Sequence, residues 1–144
     1  MRKAVAIIGT TLMLAALSAA PASAELGVAS GGPPGGAVCA TDNYVKSCFA
    51  QNGDDIYVYD AEKDGASAVA RWSLSGGGSG FCRNQRGYGT WVKCDKNFTE
   101  CFASGANNTF RWENWTYDAD LADWNFISGP YAVGVSPNRC PQPV

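Results

Sequence analysis

The sequence predicts an all-β domain: a small disulfide-stapled sandwich or barrel of about seven strands. Three observations carry this expectation. Six cysteines (Cys39, Cys48, Cys82, Cys94, Cys101 and Cys140) all follow the N-terminal apolar segment. Apolar and polar residues alternate with a period of two in several stretches between residues 55 and 135, the pattern of strands with one buried face. Asp64-Gly65, residues 75–80, Gly87-Tyr88-Gly89 and Gly129-Pro130 interrupt that alternation, and such residues supply the backbone angles that turns need.

The ends set the compartment. Arg2 and Lys3 precede an apolar run over residues 4–17, and Ala22-Ser23-Ala24 follows. A positive start, an apolar middle and an A-x-A site make residues 1–24 a signal peptide, with a mature start at Glu25. The run is shorter than the roughly 20 apolar residues a bilayer span needs. Residues 25–37 include Gly31-Gly32-Pro33-Pro34-Gly35-Gly36 and read as a flexible leader. Residues 38–140 are then a single β-domain, and residues 141–144 a loose tail.

Composition excludes several functions. Without Arg2 and Lys3, nine basic residues face thirteen acidic ones. That balance argues against nucleic acid and against an anionic membrane as partners, since both need a basic face. The chain has no histidine, so Ser-His-Asp and Cys-His catalysis lose their base. Imidazole zinc sites are excluded with them. No C-x-x-C pair occurs, and in an exported protein six cysteines read as three disulfides rather than metal ligands. No cofactor is expected, and the sequence does not specify the oligomeric state.

Taken in order, residues 55–59 (Asp-Ile-Tyr-Val-Tyr) are β-branched and aromatic, hence a strand. Asp64-Gly65 then suits a hairpin turn. Across residues 66–74, Ala68, Ala70, Trp72 and Leu74 share one face, with Ser67, Val69, Arg71 and Ser73 on the other. Residues 81–82 and 89–94 read as two strands around Gly87-Tyr88-Gly89. In residues 109–115, Phe110 and Trp112 alternate with Arg111 and Glu113. Residues 124–127 and 131–135 form two further strands, separated by Gly129-Pro130. Helical signals are confined to short turns at residues 99–103 and 116–122.

Six cysteines allow fifteen pairings, and spacing favours one. Cys82 and Cys94 flank a glycine-rich turn and would face each other across a hairpin. Cys39 and Cys48 would close a small loop. Cys101 and Cys140 would tie the C-terminal strands back, closing a loop worth roughly 4 kcal/mol in the chain-entropy account. The main rival joins Cys39 to Cys140.

Candidate binding residues lie in two places. Trp112, Trp115, Tyr117, Trp124, Phe126 and Tyr131 fall close together, interleaved with polar side chains. Alternation assigns Phe110, Trp112, Trp124 and Phe126 to the core. Arg111, Glu113, Trp115 and Tyr117 are then a ligand face, where rings stack on sugars and charged groups bond hydroxyls. A loop braced by Cys82–Cys94 would present Arg83, Arg86 and Tyr88 as recognition side chains. Asp118, Asp120 and Asp123 raise calcium, but Leu121 and Ala122 depart from the EF-hand pattern. Asn97, Asn107 and Asn114 head Asn-x-Ser/Thr sequons and read as surface-loop residues. Glu62, Glu100 and Glu113 form no paired-carboxylate motif of the kind a glycosidase uses.

Val58-Tyr59-Asp60, Asp64-Gly65-Ala66-Ser67-Ala68, Arg71-Trp72, Asn84 and Gly87-Tyr88-Gly89-Thr90-Trp91 together resemble a recurring pattern in small secreted proteins of actinomycetes. The resemblance spans residues 58–91 and implies a bacterial, exported β-domain without a settled activity. Exported proteinase inhibitors of the same bacteria are similar in class only, being small, cystine-stapled and β-rich.

These observations converge on a secreted, extracellular, disulfide-stabilised β-domain that binds rather than catalyses, its partner a protein or a polysaccharide. The alternatives are an extracellular proteinase inhibitor, or a carbohydrate-binding module using an exposed aromatic face.

Overall fold

The computed structural model describes residues 24–143; the expected signal segment up to residue 23, and Val144, lie outside them. Ten strands follow one another: β1 (Glu25–Leu26), β2 (Val28–Ser30), β3 (Val38–Thr41), β4 (Val45–Ala50), β5 (Asp55–Asp60), β6 (Ser67–Leu74), β7 (Ser79–Asn84), β8 (Trp91–Cys94), β9 (Thr109–Asp118) and β10 (Asp123–Gly134). They form two five-stranded sheets, β1-β7-β6-β9-β10 and β2-β8-β5-β4-β3. The fold is therefore an all-β sandwich. Among the described residues there is no helix. Residues 116–118 extend β9, and 119–122 turn into β10. The count exceeds seven because four strands precede Asp55, while the two strands expected around Gly129-Pro130 are one bulged strand.

Alternation places the core. Val45, Phe49, Ile56, Val58 and Val92 point inward from the second sheet, and Ala68, Ala70, Phe110 and Trp112 from the first; all are buried. Phe49 stacks on Phe110 across the interior, with ring centroids 4.1 Å apart. Each fully buried Val, Ile or Phe of this set contributes about 1.5–3 kcal/mol from removal of apolar surface from water.

The three bridges are Cys39–Cys48, Cys82–Cys94 and Cys101–Cys140, the pairing that the spacing favours. The geometry of the second differs from expectation. Cys82 lies on β7 and Cys94 on β8, and these strands belong to opposite sheets. The bridge is thus a tie through the core rather than a hairpin clasp. The reason is the crossover after Asn84, which carries the chain from one sheet to the other.

The segment expected to be a flexible leader is instead ordered structure. β1 pairs in parallel with β7 in the first sheet, and β2 pairs antiparallel with β8 in the second. The chain changes sheets at Gly27, whose N–H donates to the Arg83 carbonyl at 3.0 Å. A Cβ at this position would lie 2.4 Å from a Val92 methyl carbon, so only glycine fits the passage. Residues 31–37 then cross the outer face of the second sheet. There Ala37 and Trp91 pack against Cys48, Ala50 and Tyr57. The expected loose tail also makes a contact, since Gln142 Nε2 donates to the Gly105 carbonyl at 3.3 Å.

A polar network links the sheets. Asp42 accepts from the backbone N–H groups of Tyr44 and Val45. Its second oxygen accepts from Asn114 Nδ2 at 2.8 Å and Ser128 Oγ at 2.7 Å. Ser47 Oγ donates to Asn114 and accepts from Trp112 Nε1 at 2.9 Å. Asn114 is therefore wholly buried, not a surface sequon residue. Its amide is fully partnered, as a buried polar group must be.

Candidate functional site

The outer face of the first sheet carries the chemistry that the core does not use. Register alone fixes its rows. Leu26, Arg83, Val69, Trp115 and Phe126 lie side by side across all five strands. Phe81, Arg71 and Glu113 form the next row, and Ser79, Ser73, Arg111 and Ala132 the one beyond. Tyr117 stands opposite Trp124 at the hairpin end.

This arrangement corrects the placement of two rings. Trp124 and Phe126, expected in the core, are 37% and 52% exposed. Antiparallel pairing with Tyr117 and Trp115 puts them on the outer face. The register shifts between Phe126 and Tyr131 then let Tyr131 and Val133 turn inward. A bulge breaks the simple alternation from which a core position was expected. Phe110 and Trp112 do lie in the core.

The outer rings form one cluster. Trp124 packs on Tyr117 at 4.4 Å and on Phe81 at 5.0 Å, and Trp115 meets Phe126 edge-on at 5.6 Å. Val69 is completely buried yet belongs to this face, so the cluster covers it. Between Phe81, Trp115, Trp124 and Arg71 lies an open pocket of about 230 Å³. Arg71 is its one charged lining residue, and beside it Trp115 Nε1 donates to Glu113 Oε2 at 2.8 Å, while Arg71 lies 3.7 Å from the same oxygen and 5.5 Å from the Trp115 ring.

Arg111, Glu113, Trp115 and Tyr117 thus share one face, as their spacing predicts. Arg83 does not belong to a recognition loop. It sits on β7, with its guanidinium 4.4 Å above the Tyr117 ring, and it joins the aromatic face. Sequence reasoning missed Arg71 and Phe81. Their parity on β6 and β7 was legible, but pairing of those strands with β9 was not.

Arg86 and Tyr88 remain on the crossover loop, both exposed. The brace for this loop is Asn84, wholly buried, more than the disulfide. Its Nδ2 donates to the carbonyls of Val58 and Thr90, and its Oδ1 accepts from the Arg86 N–H at 2.9 Å. Under the same loop, burial pushes the Asp60 carboxyl up to about 6, against the opposing pull of the Glu62 N–H it accepts.

Asp118, Asp120 and Asp123 stand at the β9–β10 turn. Asp118 Oδ1 accepts the N–H groups of Asp120 and Leu121, which is turn chemistry. Among the described residues no three acidic or cysteine side chains gather as a metal site would require. No helix among them is long and apolar enough to cross a membrane. Compared with protein-family models, curated proteins and solved structures, the chain shows no match.

Proposed function

We propose that this protein is a secreted, non-catalytic binding domain, and that the outer face of its first sheet binds carbohydrate. One observation carries the reading: five aromatic side chains on an outer face, three of them lining a pocket with Arg71, whose guanidinium faces Glu113. A contiguous apolar patch at the surface, bordered by polar side chains, is the mark of an interaction site. A pyranose has apolar C–H faces that stack on aromatic rings and hydroxyl edges that bond guanidinium and carboxylate. An open, ring-walled pocket with few polar groups at its border suits such a ligand. The three disulfides accord with an oxidising compartment, where extracellular polysaccharides are found.

The test is quenching of intrinsic tryptophan emission by a panel of soluble glycans. Saturable quenching that Trp124→Ala and Trp115→Ala each weaken supports the reading. Absence of quenching by every glycan, in a folded protein, overturns it.

A second reading, a proteinase inhibitor, is favoured by the Asn84 brace on the exposed Arg86 and Tyr88. A preorganised loop binds at low entropic cost. Inhibition of secreted proteases, lost in Arg86→Ala, would support that reading instead.

A further inference from the structure

Beside the aromatic pocket lies a second, polar depression of about 270 Å³, bordered by Arg71, Ser73, Ser79, Arg111, Glu113 and Pro130. Arg71 belongs to both, so the two are contiguous. Ser73 stands directly opposite Arg111 on one side and Ser79 on the other, while Arg71 stands opposite Glu113. Arg71 and Arg111 are therefore diagonal neighbours on adjacent strands, about 7–8 Å apart at the backbone.

The charges of this patch are unequally satisfied. Glu113 Oε2 already accepts from Trp115 and faces Arg71. Arg111 is exposed and forms no ion pair among the described residues. Two guanidiniums thus share one carboxylate, leaving a local positive excess on a protein whose overall charge is negative. A guanidinium presents a planar fork of donors that matches a carboxylate. The two serine hydroxyls beside it donate and accept, as sugar hydroxyls require.

We infer that the preferred ligand of this face is an acidic oligosaccharide, an oligouronate, with one ring against Trp115 and Trp124 and the carboxylates of its successive units on Arg71 and Arg111. This inference rests on the carbohydrate reading above and specifies the ligand class. An acidic peptide would satisfy the arginines too. The ring-walled pocket beside them favours a ligand that carries apolar ring faces and anionic edges along one chain.

The experiment titrates the full chain with trigalacturonate, with its neutral methyl ester and with a short polyglutamate, following tryptophan emission. The expected result is tightest binding to trigalacturonate, tenfold or more above the ester, as for a hydrogen bond to a charged group. That margin shrinks in 0.5 M salt, which screens exposed charges, and narrows in Arg111→Gln, which leaves Arg71 to hold the carboxylate and costs the acid more affinity than the ester. Equal binding of ester and acid overturns this inference and leaves the carbohydrate reading intact. Polyglutamate binding as tight as trigalacturonate overturns the sugar assignment. Failure of both trigalacturonate and its ester to bind overturns this inference, and the carbohydrate reading falls with it only when the whole glycan panel fails to quench as well.

Discussion

Trp124 reaches over two intervening strands to place its ring 5.0 Å from that of Phe81. The β9–β10 hairpin end thereby folds onto the outer face of its own sheet and becomes one wall of the pocket. Binding and stability should separate along this wall. Trp124→Ala should weaken glycan binding at least tenfold and cost under about 2 kcal/mol, because the ring is partly in water. Trp112→Ala, which empties a core position and removes the hydrogen bond that Ser47 accepts, should cost about 3–5 kcal/mol. Urea denaturation of both variants checks the contrast. A larger cost for Trp124→Ala than for Trp112→Ala would make the outer cluster structural.

Gly129 is required by the bulge that carries Pro130 to the polar depression. Its φ is +122°, and a Cβ there would lie 3.1 Å from both the Glu113 Cα and the Trp112 carbonyl oxygen. Gly129→Ala should cost about 1–3 kcal/mol through strained backbone and weaken ligand binding by shifting the strand beside Glu113. Gly87→Ala, also at positive φ but with open space around its Cβ, should weaken stability without touching the glycan signal. Denaturation midpoints and emission titrations of the two variants provide the comparison.

The buried Asp60 makes stability pH-dependent in a definite direction. Its carboxyl titrates near 6 in the folded protein, against 3.8 for an unperturbed carboxyl. The folded state therefore holds the proton more tightly than the unfolded chain. This group favours folding below about pH 4, and that contribution is lost as pH rises from about 4 to 6. Asp60→Asn keeps an oxygen for the Glu62 N–H and removes the charge. It should raise stability at pH 7 by up to about 3 kcal/mol and have little effect at pH 4. Parallel pH profiles for the variant and the parent would exclude Asp60 as the cause.

The seam formed by β1, β2 and the Cys82–Cys94 bridge holds one edge of the sandwich. Replacing both cysteines with serine should cost about 2–5 kcal/mol. Gly27→Val should break the crossing, since the added side chain meets Val92. The checkable signature is faster amide exchange in β7 and β8, with the β4–β5 pairing unchanged. Uniform acceleration everywhere would show that the seam has no local role.

What the sequence disclosed follows the range of the forces involved. Ala68, Ala70, Phe110 and Trp112 were legible because alternation within one strand decides burial. Cysteine spacing indicated the three pairs, yet not that Cys82 and Cys94 join opposite sheets, because sheet membership depends on partners distant in sequence. Trp124 and Phe126 were misplaced for a similar reason: β9 fixes their side of the sheet, and the bulge at Ser128 breaks the local parity. Residues 25–30 looked structureless because two strands of two and three residues have no periodicity to read. Arg71 entered the candidate site only once β6 was paired with β9.

The two ends of the domain are secured in unlike ways, and they should resist pulling unequally. A force applied ahead of Glu25 meets the Glu25–Lys96 ion pair and the few backbone pairs of β1 and β2, which can open in succession. A force applied beyond Cys140 passes at once through a covalent bridge to Cys101. Tethered to a surface by its C-terminal side, the sandwich would keep its aromatic face under tension. Tethered by its N-terminal side, it would unzip at the Gly27 crossing first.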